Sequence, residues 1–347
     1  MLMEKASALP LVSVLVITYN QEEYIVQAIE SILSQRCDFE YELVIGEDCS
    51  TDSTKEKCLA LQAKYPSKIR VISNEYNKGL LRNFYETLFE CRGKYIAECA
   101  GDDFWTDPFK LQKQVEVLEA DSEVVLVHTN WRELRVDSGI VKPDMHSRKP
   151  YFKGNRIGRE YTQALINQMK GPFVYTCSAC YRKSIVEKIY HRYPTFFTDE
   201  RYPCEDYQLV FFLLQEGFFY YLDEETVTYR RLGESISASN NPAKSFDFHY
   251  RNLLLRIDII QELNLNLHDA SEFLQYQSYS LSRLAFKAKR KDLAQMAQDK
   301  FAAIGFEVTS ADRLYNFITQ HSMLLQTAHP LYQIGRRIKG LLRKTTS

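Results

Sequence analysis

Residues 11–21 read LVSVLVITYNQ, a β-branched apolar run from Leu11 to Ile17 that stops at a polar Thr18-Tyr19-Asn20-Gln21 turn. Ile25, Ala28, Ile29, Ile32 and Leu33 follow at helical spacing, so the stretch is a strand, a loop and a helix. The unit recurs. Leu43 to Gly46 is a short buried strand, and after the loop from Asp48 to Asp52 the run Ser53-Thr54-Lys55-Glu56 has the form of a capping box for a helix reaching about Tyr65. Ile69 to Ser73 gives a third strand and Gly79 opens a helix with Leu81, Phe84, Leu88 and Phe89. Tyr95 to Ala97 is a fourth strand, running into Gly101-Asp102-Asp103, where the glycine allows a tight turn. Pro108 stands near the start of a helix carrying Leu111, Val115 and Leu118. Strands alternating with helices predict an α/β fold, a mostly parallel sheet between helices, whose ligands bind beyond the carboxyl ends of the strands.

Further strands are expected at Val124 to His128, Pro172 to Tyr181 and Phe218 to Tyr229, with a helix from Asp206 to Gln215. After about Asn240 the texture changes. Phe246, Tyr250, Leu253, Ile257 and Ile260, then Leu281, Leu284 and Ala288, recur at helical intervals with no strand signal, which predicts a helical C-terminal subdomain. The expected division is a sheet domain over 9–237, a helical subdomain over 238–328 and a tail over 329–347. The tail has Arg336, Arg337, Lys339, Arg343 and Lys344 and no acid, with Leu331, Ile334, Ile338, Leu341 and Leu342 on one helical face. Such a helix suits the surface of an anionic membrane, a solvated end or packing on its own domain equally well.

The 347 residues carry 44 Lys and Arg against 45 Asp and Glu, a net charge of −1, with 45% hydrophobic residues. That balance excludes disorder and leaves no global basic field for a nucleic-acid backbone. Eight cysteines scattered through a chain too large to need staples, with no secretory signal, suit a reducing, cytoplasmic setting. The apolar run at Leu9 is broken by Pro10 and ends well short of the roughly 20 residues a bilayer span needs.

Two adjacent carboxylates, Asp102 and Asp103, at a strand end suit a hard divalent cation, and as an isolated pair they equally suit a solvated turn. Asp52 or Ser53 should cap the following helix, whereas Asp48 has no capping duty and can accept hydrogen bonds from a base or ribose, with Thr18 and Tyr19 closing the other side. Asn77-Lys78-Gly79, Arg82 and Asn83 add positive charge at the same edge. There is no Walker motif and no Rossmann glycine fingerprint. Cys177 and Cys180 form a C-x-x-C without a partner pair, and on one strand they would point to opposite faces, which disfavours zinc. His128 reads as an interior histidine, and Trp105 as either a sugar-stacking or a core residue.

The ordered set Val-Ile-Thr-Tyr-Asn (16–20), Glu-Asp-Cys-Ser-Thr-Asp-Ser-Thr (47–54), Asn-Lys-Gly (77–79), Arg-Asn (82–83), Gly-Asp-Asp-Phe-Trp (101–105), Cys-Glu-Asp-Tyr-Gln-Leu (204–209) and Tyr-Arg-Arg (229–231) resembles family 2 glycosyltransferases of the GT-A fold, of the bacterial polysaccharide type. The likeness covers about the first 235 residues. It implies that Thr18, Tyr19, Asn20, Glu22, Asp48, Asn77 and Arg82 surround a nucleotide-sugar donor, with Asp102 toward the ribose or metal and Asp103 as the main ligand of Mn2+ or Mg2+. It also implies Asp206 as general base beside Glu205, and Arg230 or Arg231 near the diphosphate. The implied reaction is an inverting hexose transfer, most readily from a UDP-sugar, to a hydroxyl of a polysaccharide or lipid-linked glycan on the inner face of a membrane. Two positions depart from the family pattern. Ala100 stands where members commonly have an acid, and Leu232 where many have histidine, which leaves the third metal ligand unassigned and keeps a non-catalytic sugar-nucleotide-binding protein as the competing reading. A nucleotidyltransferase fits less well, because the glycine-rich phosphate loop with its lysine is missing.

Overall fold

The computed structural model describes residues 9–143, 145, 156–168, 174–233 and 239–332. Most of the tail, 333–347, lies outside them, as does 234–238, where the expected boundary at 237 falls. The chain forms two units, one of 1–165, 171–200 and 204–232, the other of 166–170, 201–203 and 233–347.

The first unit runs β1 (Val12–Thr18), α1 (Ile25–Leu33), β2 (Tyr41–Glu47), α2 (Thr54–Lys64), β3 (Ile69–Ser73), α3 (Leu80–Glu90), β4 (Tyr95–Ala100), β5 (Phe104–Trp105), α4 (Lys110–Ala120), β6 (Val124–Arg135), β7 (Ile140–Lys142), β8 (Arg156–Ile157), α5 (Thr162–Ile166), β9 (Cys180–Arg182), α6 (Lys183–Arg192), α7 (Thr195–Thr198), α8 (Asp206–Glu216) and β10 (Phe218–Arg231). One sheet joins the strands in the order β3-β2-β1-β4-β9-β6-β10-β5, with β7 on β6 and β8 on β10. The block β3-β2-β1-β4 is parallel, and β10 is parallel to β6. The pairs of β9 with β4 and β6, of β5 and β8 with β10, and of β7 with β6 are antiparallel. The sheet is therefore mixed, and its parallel part is the βαβ half that the repeated strand-helix pattern describes.

Along β1 the pleat sends Val12, Val14 and Val16 into a core with Ile25, Ile29 and Ile32 of α1, Leu111, Val115 and Leu118 of α4, Trp105 and Trp131. Elsewhere in the unit, aromatic rings of α3, α7 and α8 interlock, with Tyr85 edge-on to Phe197 at 5.1 Å and Phe197 against Phe212 at 5.8 Å.

Several local expectations are corrected. Ser53 makes no side-chain cap for α2. Asp52 does so instead, its Oδ1 accepting from Thr54 N at 3.0 Å and Thr54 Oγ1 at 2.6 Å. Of the strand expected over Pro172 to Tyr181, the described residues form only β9, because Ser178 N and Oγ both donate to Tyr175 O (2.8 and 2.7 Å) and bend Thr176–Ser178 into a single 3-10 turn. Cys177 thus lies on a turn rather than on a strand with Cys180. The strand from Val124 runs seven residues further than expected, to Arg135, since its polar residues find partners across the sheet, as in the 2.6 Å pair of Thr129 and Thr226 hydroxyls.

The second unit is helical: α9 (Pro242–Glu262), α10 (Ser271–Ala288), α11 (Lys291–Ala303), α12 (Ser310–Gln320) and a helical stretch over 322–332. Asn241 caps α9 through Ala243 N at 2.9 Å, with Pro242 in its first turn. Its buried Asp312 accepts from Ser278 Oγ and Arg283 Nη1, both at 2.9 Å. His329 and Tyr332 pack on Phe286 (5.5 Å each), so the helical unit extends through the first residues assigned to the tail.

Gly101 is needed for space rather than for a left-handed turn. A Cβ there would fall 2.8 Å from Thr18 Oγ1 and closer still to Gln21 Oε1, which are themselves hydrogen-bonded at 2.8 Å. Gly101→Ala is expected to cost about 1–3 kcal/mol of unfolding free energy in urea titration, because the Thr18 and Gln21 side chains must shift to admit one methyl group. A loss below a few tenths would mean that the loop yields freely.

Candidate functional site

Parallel register brings the strand ends level. Thr18 pairs with Glu47, Glu47 with Ser73, and Ile17 with Ala100. Bonds from Asp48 N to Thr18 O (3.1 Å), Asn74 N to Glu47 O (2.9 Å) and Gly101 N to Ile17 O (3.1 Å) continue the ladder one step into the loops. Thr18, Asp48, Asn74 and Gly101 therefore form one row at the carboxyl edge of the sheet, where ligands of such sheets bind.

The loops behind this row are tied to one another. Asn20, held at φ 51°, donates its N–H to Ser50 Oγ (3.0 Å) and accepts from Thr51 N through Oδ1 (2.8 Å). Gln21 N reaches Thr54 Oγ1 at 2.8 Å, and Glu22 exchanges its N–H with Asp52 Oδ2 and its Oε2 with Ser53 N, both at 3.1 Å. Asn20 and Glu22, expected around the donor, use their side chains to fix the β2–α2 loop, and Tyr19 is left 44% exposed at the rim.

Asp48 is almost fully buried. Its Oδ1 accepts from Asn74 Nδ2 (2.9 Å) and Lys78 N (2.8 Å), and its Oδ2 from Gly79 N (2.9 Å). It has the structural duty the sequence denies it, pinning the turn before α3, and one acceptor position of four stays open. Asn77 Oδ1 receives Gly79 N at 3.0 Å in the same turn. Arg82 is half exposed and ion-paired with Glu86 at 2.6 Å, and Lys78 holds Glu86 as well. Exposed pairs of this kind contribute little, so Arg82 can be redirected cheaply.

Beyond Gly101 the two acids part company. Asp103 is 1% exposed, with Oδ1 accepting from Arg230 N at 2.8 Å and the Cys177 thiol against its carboxylate. Burial, then the neighbouring Asp102 charge, pushes Asp103 well above the usual carboxylate range. Asp102 is partly exposed and hydrogen-bonded by Gln21. Burial raises it too, with Arg230 and Gln21 opposing. The acid expected as the main metal ligand is thus the deeper of the two. Among the described residues no three His, Cys, Asp or Glu side chains come together as a metal cluster. Trp105 is a core residue, donating from Nε1 to Cys177 O at 3.2 Å.

Glu205 and Asp206 start α8, and neither caps it through its side chain. Tyr85 Oη donates to Glu205 O at 2.9 Å, while Glu205 Oε2 is buried without a hydrogen-bond partner. Burial, with the Asp206 charge adding to it, pushes Glu205 up to about 8. Glu98 of β4 is pushed by burial to about 7 although Tyr181 Oη donates to it at 2.5 Å, and the Asp206 charge acts on it as well. Arg230 and Arg231 point to opposite sides of β10: Arg230 inward to the acid pair, Arg231 to Glu133 at 3.4 Å. Three residues of the site are given no role by the sequence reading. Gln21 sits unnoticed between Asn20 and Glu22, Glu47 closes β2 and receives Ser50 N at 2.6 Å, and Gln27 accepts from the Arg230 guanidinium.

The model of glycosyl transferase family 2 matches residues 13–190. An uncharacterized protein of Mycobacterium tuberculosis is 43% identical over 114 residues, which span 33% of this chain and 33% of that protein, so the chain matches about one third of its curated relative's length. Among solved structures, Staphylococcus aureus TarS in complex with UDP-GlcNAc superposes with a TM-score of 0.57 at 17% identity, covering 92% of this chain and 91% of that one. The Pyrobaculum calidifontis mannosyltransferase PcManGT in complex with GDP-Man and Mn2+ does so at 0.52 and 16%, covering 92% and 87%. These structural likenesses establish the GT-A fold.

Glu98 and Glu205 keep protons in the folded chain that an unfolded chain releases above the ordinary glutamate value of 4.5. The folded state then binds more protons, so stability falls as pH rises from about 5 to 8. Urea midpoints across that range are expected to decline, and Glu205→Gln to flatten the upper part of the slope. A wild-type slope retained in Glu205→Gln would show that Glu205 ionises normally.

Proposed function

The chain belongs to glycosyl transferase family 2 and is a glycosyltransferase, and from that premise we propose an inverting, metal-dependent transfer of a hexose from a nucleotide sugar, a UDP-sugar first, to a hydroxyl of a polysaccharide or lipid-linked glycan. The observation that carries this reading is the level row of Thr18, Asp48 and Gly101 at the carboxyl edge, continuing into Asp102. TarS was solved with UDP-GlcNAc, which favours UDP, and PcManGT with GDP-Man and Mn2+, which keeps GDP open and favours a metal.

In this reading the open acceptor position of Asp48 takes an N–H of the base, and Tyr19 lies beside it. Arg82 gives up its exposed partner for the phosphates. Asp102 and Asp103 supply hard oxygen donors that fit Mg2+ or Mn2+, with Asp102 outermost because it is the more exposed. Phosphate oxygens and water complete such a shell, which suits a chain with Ala100 in place of a third acid. The metal, when bound, offsets the negative charge that grows on the departing diphosphate. Asp206 accepts the acceptor hydroxyl proton as that oxygen bonds to the anomeric carbon from the face opposite the leaving group. The bond to the diphosphate breaks in the same displacement, the nucleoside diphosphate leaves, and the configuration inverts. Glu205 stands beside Asp206 at the start of α8.

A thermal-shift panel of UDP, dTDP, GDP and CDP, each with and without Mn2+, tests the donor and metal together. One nucleotide is expected to stabilise the wild type in a metal-dependent way. Asp102→Asn should lose that dependence more completely than Asp103→Asn, and Asp206→Asn should bind normally while transfer falls by about 100-fold or more. No stabilisation by any nucleotide would remove the donor site.

No helix among the described residues is long and apolar enough to cross a membrane. We assign the basic tail to an anionic membrane surface at the site of a lipid-linked acceptor. Because His329 and Tyr332 pack on Phe286, a chain ended after Tyr332 keeps the helical unit whole. It should lose co-sedimentation with vesicles rich in anionic lipid, and equal binding by both chains would sink the assignment.

A further inference from the structure

We propose that Arg230 is a positioning residue that sets the Asp102 carboxylate from behind, and that it is not a ligand of the donor diphosphate. The inference rests on the reading of Asp102 as the metal-facing acid. β10 and β5 are antiparallel, pairing Thr228 with Phe104 and Val227 with Trp105, so counting two residues on sets Arg230 directly opposite Asp102. From that place Arg230 holds the acid turn twice. Its main-chain N–H donates to Asp103 Oδ1 at 2.8 Å, and its Nη1 donates to the main-chain carbonyl of Asp102 at 2.5 Å. The other arm of the guanidinium, Nη2, is bonded to Gln27 Oε1 of α1. Its guanidinium carbon lies 4.5 Å from the ring centre of Phe104 and 5.1 Å from that of Tyr24, and the residue is 6% exposed.

A rigid planar fork fixed at both arms and close to two aromatic rings is already committed. To reach a phosphate it would have to leave the Asp102 carbonyl and Gln27 and break two ring contacts, while Arg82, half exposed and paired only with Glu86, is free to move at little cost. What Arg230 does well where it stands is fix the backbone that carries Asp102. Groups that hold a metal-binding carboxylate from outside the ligand shell typically change metal affinity by about 10- to 100-fold when removed. Arg230 is the last residue of β10 but one, so the strand itself holds its backbone beside the acid turn.

The test measures UDP affinity by calorimetry with and without Mn2+, and UMP affinity without metal, on the wild type, Arg230→Met, Arg230→Lys and Gln27→Met. Arg230→Met is expected to lose about 10-fold or more of the affinity that Mn2+ adds to UDP, while metal-free UDP and UMP bind within about twofold of wild type. Arg230→Lys, whose ammonium can still reach one carbonyl, should recover part of the loss. Gln27→Met, which removes only the outer anchor of an intact arginine, should show a smaller loss of the same kind, and it carries the test if Arg230→Met does not fold. Weakened metal-free UDP binding with UMP spared would make Arg230 a diphosphate ligand and overturn the inference, as would an unchanged Mn2+ increment in both variants. If wild type itself shows no Mn2+ increment, the metal reading of the acid pair falls first and this inference falls with it.

Discussion

The register of four parallel strands is the constraint on which the rest of the site depends. Because Thr18, Glu47 and Ser73 are cross-strand partners, and Ile17 pairs with Ala100, the chain must leave the sheet at one level in four places. A slip of one residue in any of them would turn every side chain of that strand to the other face and move its end loop out of the row. The loops inherit this precision through bonds that cross between them: Asn20 to Ser50 and Thr51, Glu22 to Ser53, and Asp48 to Lys78 and Gly79. A donor arriving at such an edge meets groups already held in place, so less ordering remains to be done on binding.

The same edge gathers acids against the interest of stability. Asp102, Asp103, Glu98 and Glu205 are all raised by burial. Lys110, buried with its Nζ on Gln114 Oε1 at 2.7 Å and 4.2 Å above the Trp105 ring, is pushed down to about 8 by that same burial. A fold selected for stability alone would replace these groups with apolar ones of the same volume. Their presence in one unit, beside level strand ends, is the pattern expected where chemistry and not packing sets the composition.

What was legible in the sequence was the part governed by short-range periodicity. The alternation of Val12, Val14 and Val16, the helical spacing of Ile25, Ile29 and Ile32, and the position of each polar cluster at a strand end all follow from neighbours within about ten residues. What was hidden depends on partners far along the chain. Ser53 looks like a cap because the local motif allows it, but Glu22, 31 residues earlier, takes its N–H and leaves Asp52 to close the helix. The turn at Thr176–Ser178 depends on Gln114 as well, whose Nε2 holds Ser178 O at 2.8 Å across 64 residues. Asp48 looks idle because its donors lie 30 and 31 positions away.

The order of the two acids is the clearest case. Nothing in Gly101-Asp102-Asp103 says which carboxylate faces inward, because adjacent residues of a turn are equivalent in composition. The decision comes from Arg230, 127 residues on, whose N–H takes Asp103 into the interior and leaves Asp102 the more exposed. With Ala100 where relatives carry an acid, the proposed metal site then has too few protein oxygens to close by itself. In the proposed site a cation held by these few carboxylate oxygens would bind only weakly without nucleotide, and the nucleotide in turn only weakly without the cation. By linkage each must raise the affinity of the other by the same factor. In the proposed reaction, Ala100 would leave ligand places to the phosphate oxygens of the substrate without removing the site.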